Sequence, residues 1–118
     1  MIPMVKEVKY YTTMDGKCPY LDWFCSLSKE YQSKVIKRVN RLENGLYGDC
    51  KKLQNSRLSE LRFHFGKGYR IYFKELDDVI ILFIAAGDKS DQNRTIKQAD
   101  KFLQEYLDRS IIYDNKSQ

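Results

Sequence analysis

Apolar and polar positions in the first half of the chain predict one strand followed by two helices. Residues 5–12 are rich in β-branched and aromatic side chains, a composition typical of a strand. Pro19 favours a short helix over residues 19–27, because its missing N–H costs nothing in a first helical turn. Ser28 is a suitable N-cap for a longer helix that ends near Asn44. Apolar residues recur along that helix at steps of four, four and three: Tyr31, Val35, Val39 and Leu42.

Residues 58–86 predict three consecutive strands. Residues 58–65 and 69–76 alternate between apolar and polar side chains, which is the period of a strand with one buried face. Gly66-Lys67-Gly68 separates them, and glycine supplies the positive φ that a tight turn needs. Residues 79–86 are apolar on both faces, so we expect a central strand covered on both sides. The short connections predict an antiparallel meander.

The remaining segments complete a predicted order of β-α-α-β-β-β-α. Residues 46–57 are predicted as a loop. A last helix is predicted to start at a cap on Ser90 or Asp91 and to end near Asp108, with a flexible tail after about residue 109. We therefore expect a single domain over residues 1–118, of the α+β class. Its sheet should be mainly antiparallel, with the helices packed on one face.

The two faces of the predicted meander differ in chemistry. One face is apolar and should be covered by helices: Leu61, Phe63, Ile71 and Phe73. The other face presents basic and proton-transferring side chains: Arg62, His64, Arg70, Tyr72 and Lys74. Arginines can bind a phosphate and stabilise its transition state, and His or Tyr can take or give the proton of a ribose 2′-OH. The competing interpretation is an ordinary solvated face, which is polar in most half-covered sheets.

The charge balance favours a nucleic-acid partner. The 118 residues carry a net charge of +5, and the sequence pI is about 9.1. Residues 50–76 contain seven Lys or Arg against two acids, an excess as large as that of the whole chain. We expect Lys52, Lys67 and Lys74 to bind RNA, and Lys89 to reach the same patch from beyond the last strand. The basic face of the second helix is either solvated or flanks a nucleic acid: Lys34, Lys37, Arg38 and Arg41.

The composition disfavours membrane, disulfide-rich and metal-binding proteins. The longest apolar run, residues 79–86, is too short to cross a membrane, and the first residues lack the layout of a signal peptide. We therefore expect a cytoplasmic protein with no membrane partner. The three cysteines, Cys18, Cys25 and Cys50, are odd in number and scattered, which disfavours a disulfide framework. Together with a single histidine they make a poor zinc site, so we expect no metal and no other cofactor.

Three segments resemble a known family of proteins. Residues 58–73 contain an E-L-R strand followed by a G-Y-R strand, and residues 84–92 contain a G-D-K-S corner. Residues 35–49 form the end of a helix followed by a Gly-Asp loop. In this order and spacing the segments resemble the HigB-like, phage-derived addiction-module killer proteins of the RelE/ParE toxin superfamily. The resemblance covers roughly residues 20–107.

The resemblance implies a small RelE-like fold and an endoribonuclease that cuts messenger RNA on the ribosome. By matched position, it implies that Arg70 stabilises the phosphate and that Arg62 and His64 lie near the 2′-OH. Lys89 matches an arginine that supports the leaving group in relatives, so the charge is kept and the bidentate fork is lost. Thr95 stands near the position where some relatives have a catalytic tyrosine. Tyr72 is a candidate for that role.

The resemblance also implies a partner, a small helix-turn-helix antitoxin of the HigA type, in addition to mRNA on the ribosome. Two alternatives stay open. ParE-like relatives share the fold and poison DNA gyrase, and a third possibility is a non-catalytic binding or regulatory protein that kept the fold. A basic face with His and Tyr favours RNA cleavage, because gyrase poisoning needs no acid–base groups. For an RNase we predict that Arg70→Ala abolishes toxicity and leaves stability intact, since the side chain is expected to be exposed.

Overall fold

Residues 5–116, which the computed structural model describes, form an α+β fold with three α-helices on a five-stranded sheet. The strands are β1 (Glu7–Tyr10), β2 (Cys50–Lys52), β3 (Ser59–Arg62), β4 (Arg70–Glu75) and β5 (Ile80–Gly87). The helices are α1 (Pro19–Cys25), α2 (Lys29–Glu43) and α3 (Gln92–Lys116), and a 3₁₀ turn (Lys89–Asp91) precedes α3. The predicted α+β class is confirmed.

The strands lie in the order β1-β5-β4-β3-β2. The three pairs formed by β2, β3, β4 and β5 are antiparallel, so the predicted meander and the mainly antiparallel sheet are confirmed. β1 pairs in parallel with β5, and Tyr10 lies opposite Phe83. β5 therefore lies inside the sheet, with a paired strand on each side. This agrees with the prediction of a central strand.

The short strand β2 lies within residues 46–57, where the sequence predicts a loop. That prediction is wrong at residues 50–52. β2 has only three residues, two of them lysines, so no apolar period marks it in the sequence. It forms because Cys50 and Lys52 pair with Leu61 and Ser59 of β3. The pairing brings the loop before β2 next to the end of β3.

Local signals at Pro19 and Ser28 set the starts of α1 and α2, as predicted. Pro19 occupies the first turn of α1. The Ser28 hydroxyl accepts a hydrogen bond from the Tyr31 N–H at 3.2 Å, which satisfies one of the free donors of the first turn of α2. The predicted stripe of α2 faces the core, where three of its residues are buried: Val35, Val39 and Leu42.

Helices cover both faces of the sheet, so the prediction that they pack on one face is wrong. α1 and α2 cover the expected face, whose sheet residues include Leu61, Phe63, Ile71 and Phe73. α3 covers the opposite face, and the core there consists of Tyr11, Leu58, Tyr72, Leu82, Ile84, Ala85, Ala99 and Leu103. The physical reason is β5: its apolar side chains alternate, so half of them would meet water if only one face were covered.

α3 differs from the predicted last helix at both ends. Asp88, rather than Ser90 or Asp91, caps the turn before it by accepting a hydrogen bond from the Ser90 N–H at 2.8 Å. The helix continues to Lys116, beyond the predicted end at Asp108, so residues 110–116 are helical where a flexible tail was expected. Among residues 5–116, no helix is both long and apolar enough to cross a membrane.

Gly87 at the end of β5 lets α3 approach the sheet closely. A Cβ atom at Gly87 would lie 3.2 Å from Thr95 Oγ1, closer than ordinary van der Waals contact. Gly87 also lies opposite Arg70 in the register of β4 and β5. The close approach therefore fixes the first turns of α3 above the end of β4 that carries Arg70.

Candidate functional site

Arg62 and Arg70 form a cross-strand pair on the sheet face that α3 partly covers. They lie opposite each other in the register of β3 and β4. Opposed residues of an antiparallel pair have Cβ atoms about 4.5–5.5 Å apart, so the two arginines are immediate neighbours. Glu60 and Tyr72 are the next opposed pair on the same face. The register agrees with the alternation read from the sequence, whereas the surroundings of each side chain differ from the expected open patch.

The carboxylate of Asp49, in the loop before β2, joins Arg62 to His64. Arg62 donates from Nε (3.0 Å) and from Nη2 (2.7 Å) to Asp49 Oδ1. The His64 ring contacts Asp49 Oδ2 through Nε2. Hydrogen bonds from His64 and Arg62 hold the pKa of Asp49 below its usual range. This contact fixes the His64 ring at Nε2. The side chain is 77% exposed, so the rest of the ring is open to solvent.

Arg38 of α2 fixes the loop that carries Asp49. It donates from Nη1 to the carbonyl of Arg62 (2.8 Å), and from Nη2 to the carbonyls of Tyr47 (3.1 Å) and Asp49 (2.9 Å). The Arg38 guanidinium also lies over the Phe63 ring, 5.4 Å from its centroid. Arg38 therefore ties α2 to the loop and to β3, and its donors are directed at backbone rather than at a nucleic acid.

Arg70 is paired with the buried acid Glu60. Arg70 Nε lies 3.6 Å from Glu60 Oε2, and the Arg70 side chain is only 13% exposed. Gln92, in the first turn of α3, donates from Nε2 to the same carboxylate oxygen at 2.7 Å. The prediction that Arg70 is freely exposed is therefore wrong, because α3 covers this end of β4. Arg70→Ala leaves a buried carboxylate without its charge partner, so it should also lower stability.

Tyr72 lies beneath α3 and not on an open face. It is fully buried in the core together with Ala99 and Leu103. Its hydroxyl lies close enough to the Glu60 carboxylate to be influenced by it, but it meets no hydrogen-bond geometry within the described part of the chain. Burial first, and then the negative charge of Glu60, raise the pKa of the Tyr72 phenol. The predicted place of Tyr72 on the accessible basic face is wrong, because α3 packs over it and keeps a substrate from its hydroxyl.

Lys67 and Lys89 meet beside Arg70 at the turn between β3 and β4. The Lys89 N–H donates to the Lys67 carbonyl at 3.4 Å. Lys89 Cβ lies 3.4 Å from the position that a Gly68 Cβ would take, and Arg70 Nη1 approaches the Gly68 carbonyl at 3.5 Å. Both lysines are exposed. The structure thus places Lys89 beside Arg70, where the sequence predicts it, and Lys67 lies at the same corner.

Lys52 and Lys74, also predicted to bind RNA, lie away from the arginine pair. Lys52 pairs with Ser59, in the row of Phe73, which belongs to the face packed against α1 and α2. Lys74 shares the face of Arg70 but follows it by four residues, about 13 Å along a strand that rises about 3.3 Å per residue. The structure does not bring these two lysines together with the rest of the candidate site.

A groove between α2 and the end of β3 adds further positive charge near His64. Its volume is about 240 Å³, and its lining consists of Lys34, Lys37, Arg38, Arg41, Phe63, His64 and Phe65. Lys34 lies over the Phe65 ring, 5.3 Å from its centroid, and 3.9 Å from Glu30 of the same helix. His64 therefore stands where this groove meets the carboxylate of Asp49.

The site carries balanced charge rather than the bare positive patch expected from the sequence. Asp49 offsets Arg62, and Glu60 offsets Arg70. An exposed imidazole oriented by a carboxylate has the geometry of a general base. Arg70, with the lysine corner beside it, can stabilise negative charge on a phosphate. Within residues 5–111 no three His, Cys, Asp or Glu side chains come together as metal ligands would.

Sequence reasoning does not identify Asp49, Glu60, Gln92 or Arg38 as parts of the site. Asp49 is visible only as the second residue of the Gly-Asp loop in the family resemblance. Glu60 reads as an ordinary polar residue of an alternating strand, although it is an acid placed among cations on its face. Gln92 and Arg38 reach the site through the packing of α3 and α2, which no local pattern encodes.

A similar protein is known from a bacterium. The chain is 35% identical over 103 residues to an uncharacterized protein of Haemophilus influenzae, and the match covers 86% of this chain and 97% of that protein. This chain belongs to the same family. No model of a known protein family matches the chain. The geometry around Asp49, His64 and Arg70 is therefore the basis on which a function can be proposed.

Proposed function

We propose that this protein is a RelE/HigB-like toxin of a type II toxin–antitoxin system, and that it cuts mRNA on the ribosome without a metal ion. One observation carries the proposal. An exposed histidine, His64, is oriented by Asp49, and Asp49 also binds the arginine that lies opposite Arg70. A base, a cation for the phosphate and a second cation for the leaving oxygen are the groups that metal-free RNA cleavage needs.

Each group has a role in the proposed reaction. His64 takes the proton of the ribose 2′-OH, whose oxygen attacks the adjacent phosphorus. Arg70 stabilises the charge that develops on the phosphate oxygens. The bond from phosphorus to the 5′-oxygen breaks, and that oxygen takes a proton from water while Lys89 stabilises its negative charge; the protonated His64 returns its proton to the resulting hydroxide. The products are a 2′,3′-cyclic phosphate and a 5′-OH end.

The fold and the charge distribution support this proposal over a binding role alone. The observed order of elements, β-α-α-β-β-β-β-α, contains the predicted order and adds β2 as a short edge strand, and this α+β arrangement supports the proposal. The groove beside His64 gives an RNA backbone a basic surface on α2, adjacent to the reacting groups. In the same proposal the protein acts in the cytoplasm, and a HigA-like helix-turn-helix antitoxin keeps it silent.

Primer extension on a reporter mRNA after brief induction in a bacterial host tests the proposal. The wild type should produce cuts in phase with codons, and these should disappear when translation is blocked. His64→Gln should remove the cuts because glutamine cannot take the proton. Lys17→Ala, which removes a remote exposed cation, is the matched control and should cut like the wild type.

The other outcomes separate the competing functions. Growth arrest with intact mRNA and DNA-damage signalling would point to gyrase, as in the ParE-like relatives. Intact mRNA with normal growth would leave a binding or regulatory protein. Cuts that persist in His64→Gln would keep the RNase and reject His64 as its base.

A further inference from the structure

Glu60 is a buried acid in the middle of the candidate site. It is 2% exposed, and it is the one charged residue among the buried side chains of residues 5–111. A carboxylate without water is costly unless charge and hydrogen bonds compensate it. Arg70 supplies the charge at 3.6 Å, and Gln92 supplies the hydrogen bond at 2.7 Å. The fold therefore maintains an unfavourable group at the position that faces Arg70.

Glu60 faces one particular edge of the Arg70 guanidinium. The Arg70 atom nearest to it is Nε, at 3.6 Å; this buried nitrogen has no hydrogen-bond partner among the described residues, so the contact is one of charge. Of the two terminal nitrogens, Nη1 has a single long contact, 3.5 Å from the Gly68 carbonyl, and Nη2 has no hydrogen-bond partner within the described residues. Charge thus holds the inner edge of the guanidinium, and the outer fork keeps its donors for another ligand.

Arg62 is held in a different way. Its Nε and Nη2 both donate to Asp49 at 3.0 Å and 2.7 Å, so one whole side of its fork is occupied. A bidentate contact with a phosphate needs two donors on one side of the guanidinium. Nη2 of Arg62 is thus engaged with a carboxylate, whereas neither terminal nitrogen of Arg70 contacts one.

We propose that Glu60 is a positioning residue for the reaction: it holds Arg70 by Nε so that the Nη donors face the scissile phosphate. This inference rests on the proposed RNase function. Gln92 holds the Glu60 carboxylate in turn, so the first turn of α3 takes part in aligning Arg70. Glu60 also cancels one positive charge in the site, which weakens the attraction for RNA while it orients the group that stabilises the transition state.

The proposal has a consequence that a purely structural role does not have. Glu60→Gln keeps the shape of the side chain and removes its charge. RNA binding should become tighter, because the site gains one net positive charge, and for a single-stranded RNA the slope of log K against log salt should steepen by about 0.7. Cleavage should nevertheless slow by roughly 10-fold to 100-fold, since Arg70 is no longer aligned. Misfolding would lower both quantities.

The test measures binding and cleavage on the same protein samples. Fluorescence anisotropy with a single-stranded RNA oligonucleotide gives the affinity, purified ribosomes with a defined mRNA give the cutting rate, and thermal unfolding reports the fold. Glu7→Gln, on the exposed edge strand β1, is the matched control for loss of one carboxylate. Tighter binding with slower cutting, compared with this control, is the expected result. Affinity and cutting equal to the control, in a folded protein, would overturn the proposal.

Two further measurements keep the inference testable if Glu60→Gln unfolds or if the wild type does not cut mRNA. Gln92→Leu removes only the donor on α3, and it should slow cutting without a change in the salt slope; unchanged cutting would overturn the proposal.

In the wild-type protein, NMR of the arginine Nε–H groups should show slower solvent exchange for Arg70 than for the exposed Arg94. Equal exchange would overturn the Glu60–Arg70 contact. Ribosomes that leave mRNA whole with wild-type protein would reject the RNase function alone.

Discussion

Arg62 lies directly opposite Arg70 across strands β3 and β4, and each of the two arginines has its own carboxylate. Like charges at opposed positions destabilise an antiparallel pair. Here Asp49 approaches Arg62 from the loop before β2, while Glu60 approaches Arg70 from within β3. The two acids allow two cations to stay adjacent. They also divide the roles, because Arg62 binds the carboxylate that orients His64 and Arg70 retains free donors.

Replacing Asp49 with Asn should disconnect Arg62 from His64. We expect Asp49→Asn to lower the cutting rate by roughly 10-fold to 100-fold, as the loss of an orienting partner does in other sites. The protein should remain folded, because the contacts of Arg38 with the loop carbonyls are unchanged. Cutting at the wild-type rate would remove the carboxylate from the mechanism.

The same substitution should alter the response of stability to acid. The folded-state pKa of Asp49 is depressed, so its contribution to stability is fully present above the unfolded value of about 3.9 and is lost as pH falls through the lower folded value. Urea unfolding at several pH values measures the difference between wild type and Asp49→Asn. The difference should be largest near neutral pH and should shrink below about pH 4. A difference that grows in acid would contradict the assigned contact.

Tyr72→Phe should leave cutting unchanged. The buried Tyr72 hydroxyl lacks a hydrogen-bond partner, so its removal should raise stability by up to about 1 kcal/mol. The pKa of the phenol is raised, which means that the folded wild type loses stability as pH rises above the unfolded value of about 10. Thermal unfolding should therefore show a widening advantage of the Phe variant in alkali. A large loss of cutting at unchanged stability would restore Tyr72 as a catalytic candidate.

Gly87→Ala should lift the start of α3 from the sheet. The new Cβ would lie 3.2 Å from Thr95 Oγ1. Moving Thr95 away should lower the free energy of unfolding by about 1 kcal/mol. Thr95→Ala removes the opposing atoms, so the double variant should recover most of the lost stability. Chemical denaturation of the four proteins gives the coupling energy directly. Additive effects would show that the two residues are not in contact.

Arg38→Lys should destabilise the protein although it preserves the charge. Lysine cannot reach three carbonyls with a planar fork, and we expect a loss of about 1–3 kcal/mol together with slower cutting. Arg41→Lys, on an exposed position of the same helix, is the control and should leave the free energy of unfolding within about 0.5 kcal/mol. If both variants behave alike, Arg38 is an ordinary surface cation.

Most of the fold follows from local patterns in the sequence. The cap at Ser28, the period of α2 and the alternation of β3 and β4 each predict an element that the structure contains. β2 escapes prediction because three residues with two lysines form a strand only through pairing with β3. The position of α3 is not predicted either. The alternation of residues 69–76 indicates a strand with one exposed face, and nothing in that pattern shows that α3 covers this face.

The candidate site is less predictable than the fold, for a physical reason. Alternation correctly puts Arg62 and Arg70 on one face, but it says nothing about what faces them. Asp49, Gln92 and Arg38 arrive from other elements at separations of many residues, and Tyr72 is removed from the surface by the same packing. Sequence patterns therefore identify which groups are present, and tertiary contacts decide which of them a substrate can reach.

The parallel pairing of β1 with β5 has a consequence for synthesis of the chain. Tyr10 pairs with Phe83, so β1 can join the sheet only after about 70 further residues have been synthesised. At about 5–20 residues per second, that takes roughly 4–15 s. α3 emerges later still, and it brings Gln92 to Glu60. The groups around Arg70 therefore come together only after Gln92 has been synthesised, so any activity of the protein appears later than the folding of β3 and β4.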